Sequence, residues 1–347
     1  MKKLSLIILF TLVLFVGCAS KTTKSEPNEQ MGSIRQTDYF INNANINAEQ
    51  HWNLNIAENN QYVFYLSENQ IIRLDKSKNT MKSLDAYKKD DSISLCIDTE
   101  NLWVSNDKEV WKMDFEGNNK TVAVTLDDLK KVNDSELGID GMKVYNKKIY
   151  IHTRALGNIY EYISKTSKMQ LVASSVYAGD FLGKKFFYVD EKKECIFEID
   201  LVKKNKTIVR SQKGKGHKKA AYSSLINVGE NLYYVRMDQN RILCYKENGK
   251  DITIRKGIEC ANLISGTDDK LYYIYDLKEN EYAQNYLELS HYLGCYRNGK
   301  NVDILQLPDD YYGASYISGN HLYYEAAQKD KGEIVIQEYY KVLDFSR

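Results

Sequence analysis

Apolar positions along this chain cluster in threes. Each triplet is an aliphatic or aromatic residue, then an aromatic, then a further apolar residue, and the copies begin at Val63, Leu102, Ile149, Phe186, Leu232, Leu271 and Leu322. The middle residues, Phe64, Trp103, Tyr150, Phe187, Tyr233, Tyr272 and Tyr323, are aromatic in every copy. A strand with one face in water alternates apolar and polar side chains, so three apolar residues in a row predict a strand covered on both faces. A second apolar cluster follows each triplet, as at residues 71–74, 110–113 and 196–199, and a shorter strand-like run follows that, as at 121–124 and 252–254. Gly117-Asn118 and Asn248-Gly249 mark hairpin turns between such runs. With a strand before the triplet, as at 93–97, each unit reads as a four-stranded antiparallel meander.

The copies recur at intervals of 37 to 51 residues. That is the period of propeller blades, in which each twisted sheet packs on a neighbour on either side and aromatics fill the widening gap. The pattern predicts an all-β, seven-bladed β-propeller, with six or eight blades as the alternatives. Little helical periodicity competes with this reading. Residues 126–133 are the best helix candidate, a one-turn decoration. The last unit continues past residue 336 without a Gly or Asn turn, while residues 38–41, upstream of the first complete unit, look like a strand without a blade. The expectation is that this N-terminal strand closes the ring as the outer strand of the last blade, because an open sheet edge is a liability.

The N-terminus carries an address. Lys2 and Lys3 precede an uncharged, mostly apolar run over residues 4–16, too short to span a bilayer, which ends at Gly17-Cys18. This resembles the bacterial lipoprotein signal, which implies cleavage before Cys18 and lipid attachment to it. Residues 1–17 are then the signal peptide, 18–33 a polar flexible tether, and 34–347 a single propeller domain, extracytoplasmic and anchored to the bacterial cell membrane. The blades themselves, residues 101–117 above all, resemble the YWTD-like repeats of bacterial lipoprotein propellers of unknown function. That resemblance covers roughly residues 52–345 and implies a fold, without any catalytic residue.

Loss of residues 1–17 removes Lys2 and Lys3 and leaves 46 basic against 47 acidic residues. A near-neutral domain gives no electrostatic reason to expect nucleic acid as a partner. Cys96, Cys195, Cys244, Cys260 and Cys295 are odd in number and form no Cys-x-x-Cys pair, so they read as buried free thiols, with one disulfide left open. The histidines have no metal-ligand spacing, the Asp-Asp pairs lack the spacing of a calcium loop, and no Gly-x-Ser-x-Gly elbow is present. No cofactor and no metal are expected, and the chain is expected to act as a monomer.

Function is sought on the long connections, since binding residues concentrate on loops carried by a rigid scaffold. These are residues 85–92, 126–140, 211–221, 276–292 and 308–313. Tyr282, Tyr286, Tyr311 and Tyr312 are the candidate stacking groups, and His217, Lys218 and Asp310 the polar ones. The expected role is a non-enzymatic binding module for a protein, peptide or glycan. The alternative is a carbohydrate hydrolase or lyase with its site in the central funnel.

Overall fold

The computed structural model describes residues 56–345, apart from 68, 89–91, 155, 165, 191, 212–221, 246–249, 266–269, 278–289, 319 and 331–332. It is a seven-sheet propeller. Six sheets are four-stranded antiparallel meanders in chain order: β1 to β4 (Ile56–Glu58, Tyr62–Ser67, Gln70–Asp75, Thr80–Ala86), β5 to β8 (Ser94–Ile97, Asn101–Ser105, Glu109–Asp114, Thr121–Thr125) and β9 to β12 (Ile139–Tyr145, Lys148–Thr153, Ile159–Ile163, Lys168–Ala173) make the first three. Blades four to six are β13 to β16 (Val176–Leu182, Lys185–Asp190, Cys195–Asp200, Lys206–Ser211), β17 to β20 (Tyr222–Val228, Asn231–Arg236, Arg241–Tyr245, Asp251–Lys256) and β21 to β24 (Ile258–Ser265, Leu271–Leu277, His291–Arg297, Lys300–Gln306). Blade seven has three strands among the described residues, β25 to β27 (Tyr311–Ser318, His321–Asp330, Glu333–Asp344).

The seven triplets fall on the seven second strands, and no middle aromatic is more than 5% exposed. The packing explains why three apolar residues stand together. Phe64 of blade one packs in one cluster with Leu102 and Val104, the flanking residues of the blade-two triplet. Trp103 of blade two meets Ile149 and Ile151 of blade three in the same way. The rule repeats for Tyr150 with Phe186 and Tyr188, for Phe187 with Leu232 and Tyr234, for Tyr233 with Leu271 and Tyr273, and for Tyr272 with Leu322 and Tyr324. Tyr323 of blade seven then packs with Val63 and Tyr65 of blade one, and the ring is closed. Each middle aromatic faces the next blade, and its two neighbours face the previous one, as alternation along a strand requires.

Burial falls from the axis outward. The inner strand β17 is buried throughout, whereas the outer strand β4 is exposed at most positions. Outer cations cover aromatic rings near the rim, with Lys206 Nζ 3.7 Å from the Phe197 ring centre and the Arg255 guanidinium 3.9 Å from that of Tyr275. In all six four-stranded blades the third and fourth strands slip register at the same place, between the first two residues of the second apolar cluster, for example Ile71/Ile72 and Leu293/Gly294. Such bulges increase local twist, which suits sheets that fan out from an axis. Gly294 stands where Trp111, Tyr160 and Phe197 stand in other blades, and a Cβ there would meet the Tyr273 ring at 2.5 Å.

The helix candidate forms as α1 (Leu126–Lys130), started by a capping box in which Thr125 and Asp128 satisfy each other's backbone amides. Leu129 of α1 is buried in the seam between blades two and three. Cys96, Cys195, Cys244 and Cys295 are free thiols, the first three buried; the side chain of Cys260 lies outside the described residues. Residues 38–41, expected to close blade seven, and Cys18 also lie outside them.

Candidate binding face

Antiparallel order assigns every connection to one of two faces. Turns from first to second and from third to fourth strands lie on one, the turn face. Connections from second to third strands, and from one blade to the next, lie on the other, the loop face. The described strand ends that flank all five long connections of the sequence, residues 85–92, 126–140, 211–221, 276–292 and 308–313, open on the loop face.

On that face, the rim of blade three is tied together by backbone hydrogen bonds from both sides. Residues 126–138 leave β8 and return into β9, pinned on both sides: the amide of Leu126 donates to the Lys108 carbonyl at 2.6 Å, and that of Ile139 to the Asp107 carbonyl at 2.9 Å. Across the rim, the Arg154 amide donates to the Gly138 carbonyl at 2.8 Å, and Val176 and Gly157 are joined by a 2.8 Å backbone hydrogen bond. Gly157 has φ of +58°, and a Cβ on it would sit 2.7 Å from the Val176 oxygen, so this close approach needs glycine.

Within that frame, Asp140 Oδ2 lies 2.9 Å from His152 Nδ1, and His152 Nε2 lies 3.3 Å from the Val176 carbonyl oxygen. His152 is largely enclosed, while the Asp140 side chain is 38% exposed. The hydrogen bond from His152 holds the Asp140 carboxyl below its ordinary pKa, and the nearby Arg154 charge acts in the same direction. The segments beside this pair leave large apolar side chains in water: Leu137, three residues before Asp140, is 70% exposed, Val132 on the loop after α1 48%, and Tyr177, next to the Val176 that meets His152, 44%. Sequence reasoning missed this group. Asp140 and His152 are twelve residues apart on different strands, and the one available signal was a histidine directly after the triplet of blade three.

A second His–Asp pair lies in blade six. Asp276, next to last in β22, and His291, first in β23, lie directly opposite each other, with Oδ1 and Nδ1 2.6 Å apart and both side chains buried. The His291 ring meets Tyr311 edge-on, with centroids 5.0 Å apart. Tyr311 is therefore core. Expected as a stacking group, it is wholly buried between His291 and Tyr324, because the first residue of β25 faces the seam with blade six. Asp310, half-buried, accepts the Tyr324 hydroxyl at 3.3 Å. His217, Lys218, Tyr282, Tyr286 and the side chain of Tyr312 lie outside the described residues.

The inner strands add a polar seam beneath the rim. Lys143 on β9 and Asp180 on β13 form a buried ion pair at 3.4 Å, and Asp180 Oδ2 also accepts the Asn227 amide on β17 at 2.8 Å. Burial pulls the lysine pKa down and pushes the aspartate pKa up. Lys143 and Asp180 sit opposite Tyr150 and Phe187, where Ala57, Cys96, Ile226 and Ile264 sit in blades one, two, five and six. Among the described residues no three His, Cys, Asp or Glu side chains converge as a metal-ligand group.

No protein-family model and no curated protein sequence matches the chain. Solved structures do. A streptogramin B lyase structure is 12% identical with a TM-score of 0.54, covering 87% of this chain and 94% of that one. Virginiamycin B lyase from Staphylococcus aureus is 11% identical with a TM-score of 0.54, covering 88% and 97%. A prolyl endopeptidase structure is 11% identical with a TM-score of 0.52, covering 91% of this chain and 56% of that one, so the chain spans a little over half of that protein. At these identities the likeness is one of architecture, and it agrees with the sheet order and the seven seams: the chain folds as a β-propeller.

Proposed function

We propose that this protein is a surface-tethered, non-enzymatic binding module that receives a protein or peptide segment on the loop face, at the rim of blade three. The observation that carries this reading is that three exposed large apolar side chains, Leu137, Val132 and Tyr177, stand on the segments that carry or flank the part-exposed Asp140 and its partner His152. Large apolar side chains left in water beside a fixed charge are the composition of a protein-binding patch. Two aliphatic groups to one tyrosine favour peptide side chains over the flat face of a sugar, which stacks on aromatic plates. The lipid anchor on Cys18 belongs to the same reading, since it would hold the ring at the membrane surface with residues 18–33 as slack.

The test is an array of peptides and glycans probed with the mature chain and with a Leu137→Ala/Asp140→Asn/Tyr177→Ala variant. Binding to peptides carrying a basic residue beside apolar ones, lost in the variant with an unchanged melting temperature, supports the reading. Equal binding by both proteins places the ligand elsewhere. Secretion of Cys18→Ala into the medium tests the anchor, and its retention with membranes after signal cleavage counts against lipidation.

A second reading, a carbohydrate hydrolase or lyase, draws on the two His–Asp pairs, in which a carboxylate orients an imidazole as a general base requires. Turnover of a glycan by the mature chain, abolished in His152→Ala or His291→Ala, would replace the first reading.

A further inference from the structure

On the turn face, a side chain just beyond the third strand closes the end of a seam. The residue opposite the first member of the triplet is Met113 in blade two, Ile199 in blade four and Leu343 in blade seven. Two residues further on stand Phe115, Leu201 and Phe345, each turned onto the middle aromatic of an adjacent blade. Phe115 lies 5.4 Å from Phe64 and Phe345 5.7 Å from Tyr272, between ring centres, and Leu201 is buried in one cluster with Tyr150. Asp114, Asp200 and Asp344 hold the position between.

Blade six departs from this rule at both positions. Its residue opposite the triplet is Tyr296, so Arg297 stands where the aspartates stand and Asn298 where the closing side chain belongs. Arg297 pairs with Lys300 across a two-residue turn, with Asn298 at φ of +51° and Gly299 at +79°, the geometry of a tight hairpin. Such a turn brings no apolar side chain over the seam, and a Cβ on Gly299 would meet nothing within 4 Å. What remains is a cavity of about 240 Å³ between blades five and six. Buried Tyr233 and Cys244 form its floor, Tyr296 and the 40% exposed Ile252 its walls, and Asn231 and Arg297 its mouth. The two tyrosine rings meet at 67° with centroids 6.2 Å apart, which makes an aromatic corner. Arg210 and Arg255 are engaged by Asp251 and Asp303, whereas Arg297 has no acidic partner among the described residues.

We propose that this cavity binds a small aromatic carboxylic acid, with its ring in the corner of Tyr233 and Tyr296 and its carboxylate on the Arg297 guanidinium. A cavity of about 150 Å³ holds benzene, so this one has room for a ring and a carboxylate. The corner offers a third ring one face and one edge, the arrangements that aromatic pairs favour. A guanidinium takes a carboxylate through two parallel hydrogen bonds. The apolar walls lie at one end and the cation at the other, so the ligand must be polar at one end only. The site is on the opposite face from the rim of blade three and stands whatever that rim receives.

The test is a titration of the mature chain, followed by NMR, with benzoate and 4-hydroxybenzoate, with benzamide as the uncharged counterpart and glucuronate as a ring acid that is not aromatic. The aromatic acids should bind with Kd on the order of 0.1–1 mM, as befits so few atoms. Benzamide and glucuronate should bind at least about tenfold more weakly. Arg297→Gln removes the charge and should cost at least about tenfold in benzoate affinity. Ile252→Trp fills the space and should abolish binding, and both variants should melt as the wild type does. Should Arg297→Gln fail to fold, the comparison with benzamide still reads the charge. No binding of either aromatic acid would overturn the proposal, as would benzamide or glucuronate matching benzoate, or benzoate affinity unchanged in either folded variant.

Discussion

The two faces of the ring use carboxylates differently. On the turn face, Asp75, Asp98, Asp114 and Asp200 each turn back on the chain, and one oxygen of each accepts two backbone amides within four residues. Glu58, buried there, is matched by a buried lysine, Lys76, at 2.9 Å. On the loop face Asn106, Asp128 and Asp190 also serve local amides, but three other acids reach much further. Glu136, Asp140 and Asp276 find partners 12 to 24 residues away, and among the described residues Glu136, Asp107 and Asp276 each keep one buried oxygen without a partner. Acids consumed by local turns serve the fold. Acids left partly unsatisfied at a rim of long loops are where a ligand or ion has something to gain.

The comparison can be broken at several strengths. The largest effect should come from the scaffold that both faces share: Tyr150→Ala empties the seam between blades three and four and should cost about 3–5 kcal/mol, read by denaturant unfolding. On the turn face, Asp98→Ala strips two amides and leaves the Trp103 indole N–H, now 2.7 Å from Asp98 Oδ2, without its acceptor. A loss of about 2 kcal/mol with peptide binding unchanged is expected. The loop-face triple variant, Leu137→Ala/Asp140→Asn/Tyr177→Ala, should reverse that pattern, with binding lost and stability within about 0.5 kcal/mol of the wild type, as for exposed sites generally. A large stability loss there would place these residues in the fold's own machinery.

The smallest effect is electrostatic. Burial lowers the Lys76 pKa to about 8, against the pull of Glu58. Between that value and the ordinary lysine value the unfolded chain holds a proton that the native chain has released, so this group's contribution to stability rises with pH across that window. The gain should be on the order of 1 kcal/mol by pH 9.5, and the paired replacement Glu58→Leu/Lys76→Met should flatten it. A wild-type profile that falls over the same range would contradict the assignment.

Legibility in the sequence follows the same division. Triplets, the Gly117-Asn118 turn and the short helix from residue 126 are local, and each appeared where local chemistry put it. The loop-face site is built across strands, so neither Asp140 with His152 nor Glu136 with Tyr160 leaves a signature of spacing. Tyr311 misled for a related reason. Beside Asp309, Asp310 and Tyr312 it reads as part of a polar loop, but it is already the first residue of β25, where pleat direction turns it toward His291. The repeated slip between third and fourth strands left no sign either, because a bulge is a matter of pairing rather than of composition.

Each seam is filled by one aromatic from the blade before and two residues from the blade after, so the ring has a direction and no first member. In an open stack of repeats the end units have one neighbour and fray first. Here the seam joining Tyr323 to Val63 and Tyr65 gives the array a periodic boundary, with the two ends of the described chain meeting at an ordinary joint. Every blade then has two neighbours whose loss it would feel. A cut in any exposed loop should therefore yield a permuted chain with the same ring of contacts, and forced opening should part the ring at its weakest joint, wherever along the chain that joint lies.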